Sequence, residues 1–228
     1  RWEHPVRGII PPSQFIPLAE ADEDTIDALT GWVLDAAVEA YQVLTQMGVP
    51  TPLSVNLSPR NLHDLALPDR IGERLQAGAM PPSQLCLEIT ETAAFQDAVR
   101  TMDILSRLRL KGISLSIDDF GTGYSSFKLL RQMPFTEIKI DRSFVTDVNR
   151  SRDSRMIVKS IADLAANMEL GCVAEGVEAE DAAETLEQLG ITSMQGFLIG
   201  RPMPIEAIPA WLSAWRSGEG AADPAKDP

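Results

Sequence analysis

Short apolar stretches alternate with longer amphipathic ones along nearly the whole chain, and that alternation narrows the fold to a parallel sheet covered by helices. Strand-like stretches run over 53–57, 85–90, 113–118, 136–140, 170–174 and 191–198. Helical periods fall before, between and after them, at 24–48, 62–77, 94–111, 124–133, 153–169, 178–189 and 205–217. Gly48 with Pro50, Pro81 with Pro82, Gly112, Pro134 and Gly190 stop one element before the next begins. Residues 1–23 carry Pro5, Pro11, Pro12 and Pro17 and read as irregular, while 218–228 read as a frayed tail behind a single domain spanning 1–217. Six parallel strands suit an open doubly wound sheet or most of an α/β barrel of the (β/α)8 TIM type. No Gly-x-Gly-x-x-Gly follows the first strand, which removes the best support for a dinucleotide-binding sheet. In the barrel, about two further strands belong ahead of Arg1.

Successive strand residues face opposite sides, so parity can be followed from strand to strand. Asn56 shares a face with Ser54, Glu88 with Cys86, Asp118 with Ser116, Lys139 with Glu137 and Asp141, Glu175 with Val173, and Gln195 with Ser193. Any one polar residue at a strand end is ordinarily a solvated loop start. Agreement across all the strands instead gathers Asn56, Glu88, Asp118, Asp119, Lys139, Glu175 and Gln195 at the C-terminal mouth, where barrels keep their active sites. Several carboxylates buried together cost several kcal/mol per unpaired charge, and cations are the simplest remedy. Hard oxygen donors suit Mg2+ or Mn2+ better than zinc, copper or iron.

The bulk properties exclude other classes. A net charge of -13 argues against a sequence-independent grip on polymeric DNA or RNA. A small phosphorylated ligand stays open, because bound metal reverses the sign of an acidic site locally. No apolar run reaches the roughly 20 residues that span a bilayer, and Arg1-Trp2-Glu3-His4-Pro5 is no signal peptide. Cys86 and Cys172 lie in apolar surroundings without Cys-x-x-Cys spacing, the pattern of buried reduced thiols in the cytoplasm. His4 and His63 stand far apart, which leaves no zinc site of the usual kind.

The chain resembles the EAL-domain family of cyclic di-GMP phosphodiesterases. The resemblance is carried by Arg1-Trp2-x-His4-Pro5, Ile10-Pro11-Pro12-x-x-Phe15-Ile16-Pro17-x-Ala19-Glu20, Val55-Asn56-Leu57-Ser58 and Glu88-x-Thr90-Glu91. It continues through Asp118-Asp119-Phe120-Gly121-Thr122-Gly123-Tyr124-Ser125-Ser126, Lys139-Ile140-Asp141, Glu175-Gly176-Val177-Glu178 and Gln195-Gly196-Phe197. It implies a near-(β/α)8 barrel with one antiparallel strand, and hydrolysis of cyclic di-GMP to linear pGpG with two Mg2+ or Mn2+ ions. By position it makes Asn56, Glu88, Asp118, Asp119 and Glu175 metal ligands, with Glu175 alternatively a general base. Lys139 would hold the attacking water or stabilise developing charge. Arg1 would contact a phosphate and Asp141 a guanine edge, with Glu178 and Gln195 supporting the site.

Glu91 would tether the loop formed by Phe120, Gly121, Thr122, Gly123, Tyr124, Ser125 and Ser126, which in this family is linked to dimerisation and to control of metal binding. A homodimer and an upstream sensory or GGDEF-type domain are the implied partners. The Glu-Ala-Leu signature itself would stand just before Arg1, and its metal-ligating glutamate is expected in the full protein. Two rival activities remain: a cyclic di-GMP receptor without turnover, and another metal-dependent barrel enzyme acting on small carboxylates.

Overall fold

The structure, a computed structural model, describes residues 2–123 and 127–217. Arg1, Tyr124, Ser125, Ser126 and the tail therefore lie outside the described residues. Six strands form one sheet: β3 (Leu53–Asn56), β4 (Leu85–Thr90), β5 (Ser114–Phe120), β6 (Glu137–Ile140), β7 (Gly171–Glu175) and β8 (Ser193–Gln195). They pair in chain order, every pair parallel, and the sheet curls into a half-barrel. The antiparallel strand implied by the resemblance is not among these six. A separate hairpin, β1 (Trp2–His4) with β2 (Gly8–Ile10), precedes them.

Register explains how the core and the site divide the sheet. Val55, Leu87 and Leu115 stand level in one row, all buried, and Asn56, Glu88, Ser116 and Glu137 stand level in the next. The first row and its neighbours Ile89, Ile117, Ile138 and Ile140 pack under the helices, where each fully buried aliphatic side chain contributes about 1.5–3 kcal/mol. The second row faces the interior of the curl. Covering helices are α2 (Glu23–Gln46), α3 (Leu67–Ala77), α4 (Glu91–Gln96), α5 (Ala98–Leu110), α6 (Phe127–Gln132), α7 (Arg142–Thr146), α8 (Arg152–Asn167), α9 (Glu180–Gln188) and α10 (Ile208–Ser217). Their starts are fixed locally: Asp22 accepts from Thr25 N at 3.0 Å, Thr90 from Ala93 N at 3.4 Å and Ser151 from Ser154 N at 3.1 Å.

Several boundaries differ from the sequence expectations. The irregular 1–23 contains the hairpin and a helix, α1 (Pro12–Glu20). Proline is tolerated in a first helical turn, and Pro12 stands there, so these prolines start a helix as well as interrupt one. The 62–77 helix is a 3-10 turn (Pro59–His63) followed by α3. The 94–111 helix is two helices, because Asp97 leaves helical geometry at φ -131 and ψ 74 and caps Arg100 N at 3.3 Å. The last strand shrinks to three residues, and the short α7 was not expected at all. Among the described residues no helix is long and apolar enough to cross a membrane.

Candidate active site

Lys139, on β6, is the centre of the mouth. Its side chain is only 4% exposed, and Nζ lies 2.6 Å from Glu175 Oε1, 2.9 Å from Glu88 Oε1 and 3.5 Å from Asp118 Oδ1. These partners come from β7, β4 and β5, so three strands aim carboxylates at one ammonium. Asn56, on β3, donates Nδ2 to Glu88 Oε2 at 3.2 Å and ties the sheet edge into the cluster.

Strict alternation would turn Asp118 and Asp119 to opposite faces. The structure avoids this with a β-bulge: between the pairs Ile117 with Ile138 and Phe120 with Ile140, β5 has Asp118 and Asp119 where β6 has Lys139 alone. Asp119 takes a left-handed φ of 53°, uncommon for a residue with a side chain, and its N–H donates to Asp118 Oδ1 at 3.1 Å. As a result the carboxylate oxygens of Asp118, Asp119 and Glu175 lie within 4.8 Å of one another.

The charges are unbalanced. Glu88, Asp118, Asp119 and Glu175 oppose one ammonium, a formal excess of three negative charges. Burial works against the Lys139 charge, but contacts with Glu175, Glu88 and Asp118 outweigh it and hold its pKa above the ordinary lysine range. Burial pushes Glu175 up, opposed by the bond from Lys139 and reinforced by Asp118 and Glu88. Asp119 is also raised, by burial first and then by the neighbouring carboxylates of Asp118 and Asp141. Carboxylates this close need a proton or a cation between them. The donor set is all oxygen and the excess is negative, so the residues present fit hard divalent cations.

The other expected site residues distribute around this centre. Asp141 caps α7, accepting from Ser143 N at 3.0 Å, and its charge bears on Asp119. Gln195 stands level with Glu175 on the neighbouring strand, and its carbonyl accepts from Val177 N at 3.0 Å. Glu178 is exposed and makes no hydrogen bond or ion pair among the described residues. Glu91, buried at the start of α4, accepts from Gly121 N at 2.9 Å and from Gly123 N at 3.4 Å through Oε2. Thr122 Oγ1 closes the same turn onto the Asp119 carbonyl at 2.8 Å. Phe120 is buried in the core, so its ring is a packing group and not part of the loop surface.

Strand parity did not reveal the bulge or the bearing of Asp141 on Asp119. The one sequence signal for the bulge was two adjacent aspartates where alternation admits a single inward residue. Cys86 and Cys172 are free, and burial with help from Glu137 raises their thiols to about 12 and about 11, so neither is a nucleophile near neutral pH.

Comparison with known proteins follows the same lines. Residues 1–202 match the family described as the EAL domain. The bifunctional diguanylate cyclase/cyclic di-GMP phosphodiesterase MucR of Pseudomonas aeruginosa is 43% identical over 209 residues, 91% of this chain and 30% of that protein. The cyclic di-GMP phosphodiesterase RocR of the same organism is 36% identical over 90% of this chain and 52% of its own length. The chain thus corresponds to one part of these longer proteins. Among solved structures, the MucR phosphodiesterase in complex with c-di-GMP superposes with a TM-score of 0.87 at 42% identity, covering 91% of this chain and 84% of that one. The EAL domain of Mycobacterium smegmatis DcpA gives a TM-score of 0.77 at 35% identity, covering 83% and 86%.

Proposed function

The chain belongs to the EAL-domain family, and from that premise we propose that it hydrolyses cyclic di-GMP to linear pGpG with two Mg2+ or Mn2+ ions. The observation that carries this reading is Lys139 held between Glu88, Asp118 and Glu175, with Asn56 and Asp119 completing an oxygen-rich mouth. Asn56, Glu88, Asp118, Asp119 and Glu175 would hold the ions, which when bound lower the pKa of water and neutralise phosphoryl oxygens.

The chain's own groups account for the rest. Lys139 stays charged at neutral pH and lies beside Glu175, so it can orient a water and later stabilise charge building on the phosphoryl oxygens. The water's oxygen bonds to phosphorus as its proton passes to a base, the role that Glu175, raised by burial, fills as the alternative to ligating metal. The P–O3′ bond breaks, and the departing O3′ takes a proton from solvent, leaving a 5′-phosphate. Arg1 holding a phosphate, Asp141 reading a guanine edge, and Gln195 and Glu178 in support belong to the same proposal. So do homodimerisation, control by an upstream sensory or GGDEF-type domain, and a cytoplasmic setting that keeps both thiols reduced.

The test is incubation of the full-length protein with cyclic di-GMP and Mg2+, with separation of the products. The expected result is pGpG, abolished by EDTA. Tight binding of cyclic di-GMP with no product under saturating Mg2+ or Mn2+ overturns the hydrolase and assigns a receptor.

A further inference from the structure

The turn that carries Asp119 is held from two sides. On one side the Glu91 carboxylate takes the N–H groups of Gly121 and Gly123. On the other, Gly121 at φ 102° backs onto α7 and α8: a Cβ there would meet Phe144 Cε2 at 3.0 Å and Ile161 Cδ1 at 3.2 Å. Phe144 is half-buried against the core, and its N–H donates to the Asp141 carbonyl at 3.1 Å, which joins the turn that carries the ring to the cap residue whose charge bears on Asp119. A left-handed aspartate costs of order 1–3 kcal/mol and persists only where its surroundings over-determine it. Glu91 supplies an electrostatic restraint. The wall formed by Phe144 and Ile161 supplies the steric one, which stops the turn from relaxing away from the mouth.

We propose that Phe144 is a positioning residue: its ring against Gly121, backed by Ile161, keeps Asp119 turned into the mouth and so sets the affinity of the site for divalent metal. The inference rests on the metal-binding role of Asp119 proposed above. It requires no contact between Phe144 and substrate or metal.

Phe144→Ala, Phe144→Leu and Ile161→Val in the full-length protein test it. Mn2+ binding is followed by the paramagnetic resonance signal of free Mn2+, which needs no turnover, and the Mn2+ dependence of hydrolysis is measured in parallel. Phe144→Ala is expected to raise half-saturating Mn2+ about tenfold in both measurements, the usual scale for groups that orient ligands. Turnover at saturating Mn2+ is expected to stay within about twofold, and Phe144→Leu to restore most of the affinity. Should Phe144→Ala not fold, Ile161→Val is expected to weaken Mn2+ about twofold, and wild-type affinity there overturns the proposal. Unchanged Mn2+ affinity in Phe144→Ala overturns it, as does lost turnover that Mn2+ does not restore. A wild-type protein that binds Mn2+ but yields no pGpG removes the hydrolase reading and leaves the positioning claim to be decided by the binding data.

Discussion

Replacing Lys139 by methionine keeps an unbranched stem of nearly the same shape and removes the one ammonium from a cluster of carboxylates. Three contacts disappear, at 2.6, 2.9 and 3.5 Å, and Glu88, Asp118 and Glu175 are left facing one another with little solvent to screen them. Removing one partner of a buried ion pair costs about 3–5 kcal/mol, because the remaining charge has lost its counterion. For a domain of this size each kcal/mol moves the melting temperature by about 2–4 °C, so Lys139→Met in EDTA should melt roughly 6–20 °C below wild type.

Saturating Mg2+ should return most of that loss, since cations restore the missing charge. Catalysis should still fall by about a hundredfold or more, because the donor proposed for the phosphoryl group is gone. The pH dependence has a definite sign. Glu175 already has a raised folded pKa, so protonation favours the folded state, and the deficit of the variant should shrink as pH falls into the acid range. In the wild type the raised Lys139 pKa leaves its contribution whole at neutral pH and removes it only in strong alkali. Differential scanning fluorimetry with and without Mg2+ reads the stability changes, and pGpG formation from cyclic di-GMP reads the catalytic one. A metal-free variant as stable as wild type, or one that gains no more from Mg2+ than wild type does, would refute the electrostatic account of the mouth.

Two further outcomes follow from the same geometry. Glu91→Gln exchanges charged acceptance of the Gly121 and Gly123 N–H groups for neutral acceptance, and should lower stability by about 1–2 kcal/mol in urea titration while raising half-saturating metal; an unchanged metal requirement would show that the turn does not depend on the charge. The Cys172 thiol, moved from 9.0 to about 11, should react with iodoacetamide at pH 8 about a hundredfold more slowly in the folded protein than in the unfolded one. Because the folded state keeps that proton longer, stability should fall as pH rises from about 9 to about 11, and equal alkylation rates in the two states would contradict its burial.

Period and parity in the sequence determined that strands alternate with covering helices and that polar side chains from Asn56 to Gln195 share parity at the strand ends, but left the order of the strands open between a doubly wound sheet and a barrel. Those properties are local: a side chain's face depends on its own strand, and a helix's apolar stripe on its own spacing. Only the tertiary structure decided that Asp119 joins Asp118 in the mouth, since a bulge depends on how β5 registers with a strand some twenty residues further along. It likewise decided that the Asp141 carboxylate bears on Asp119 and that Phe144 stands behind Gly121. These are non-local matters, in which packing overrides intrinsic preference and brings together groups that the sequence holds apart.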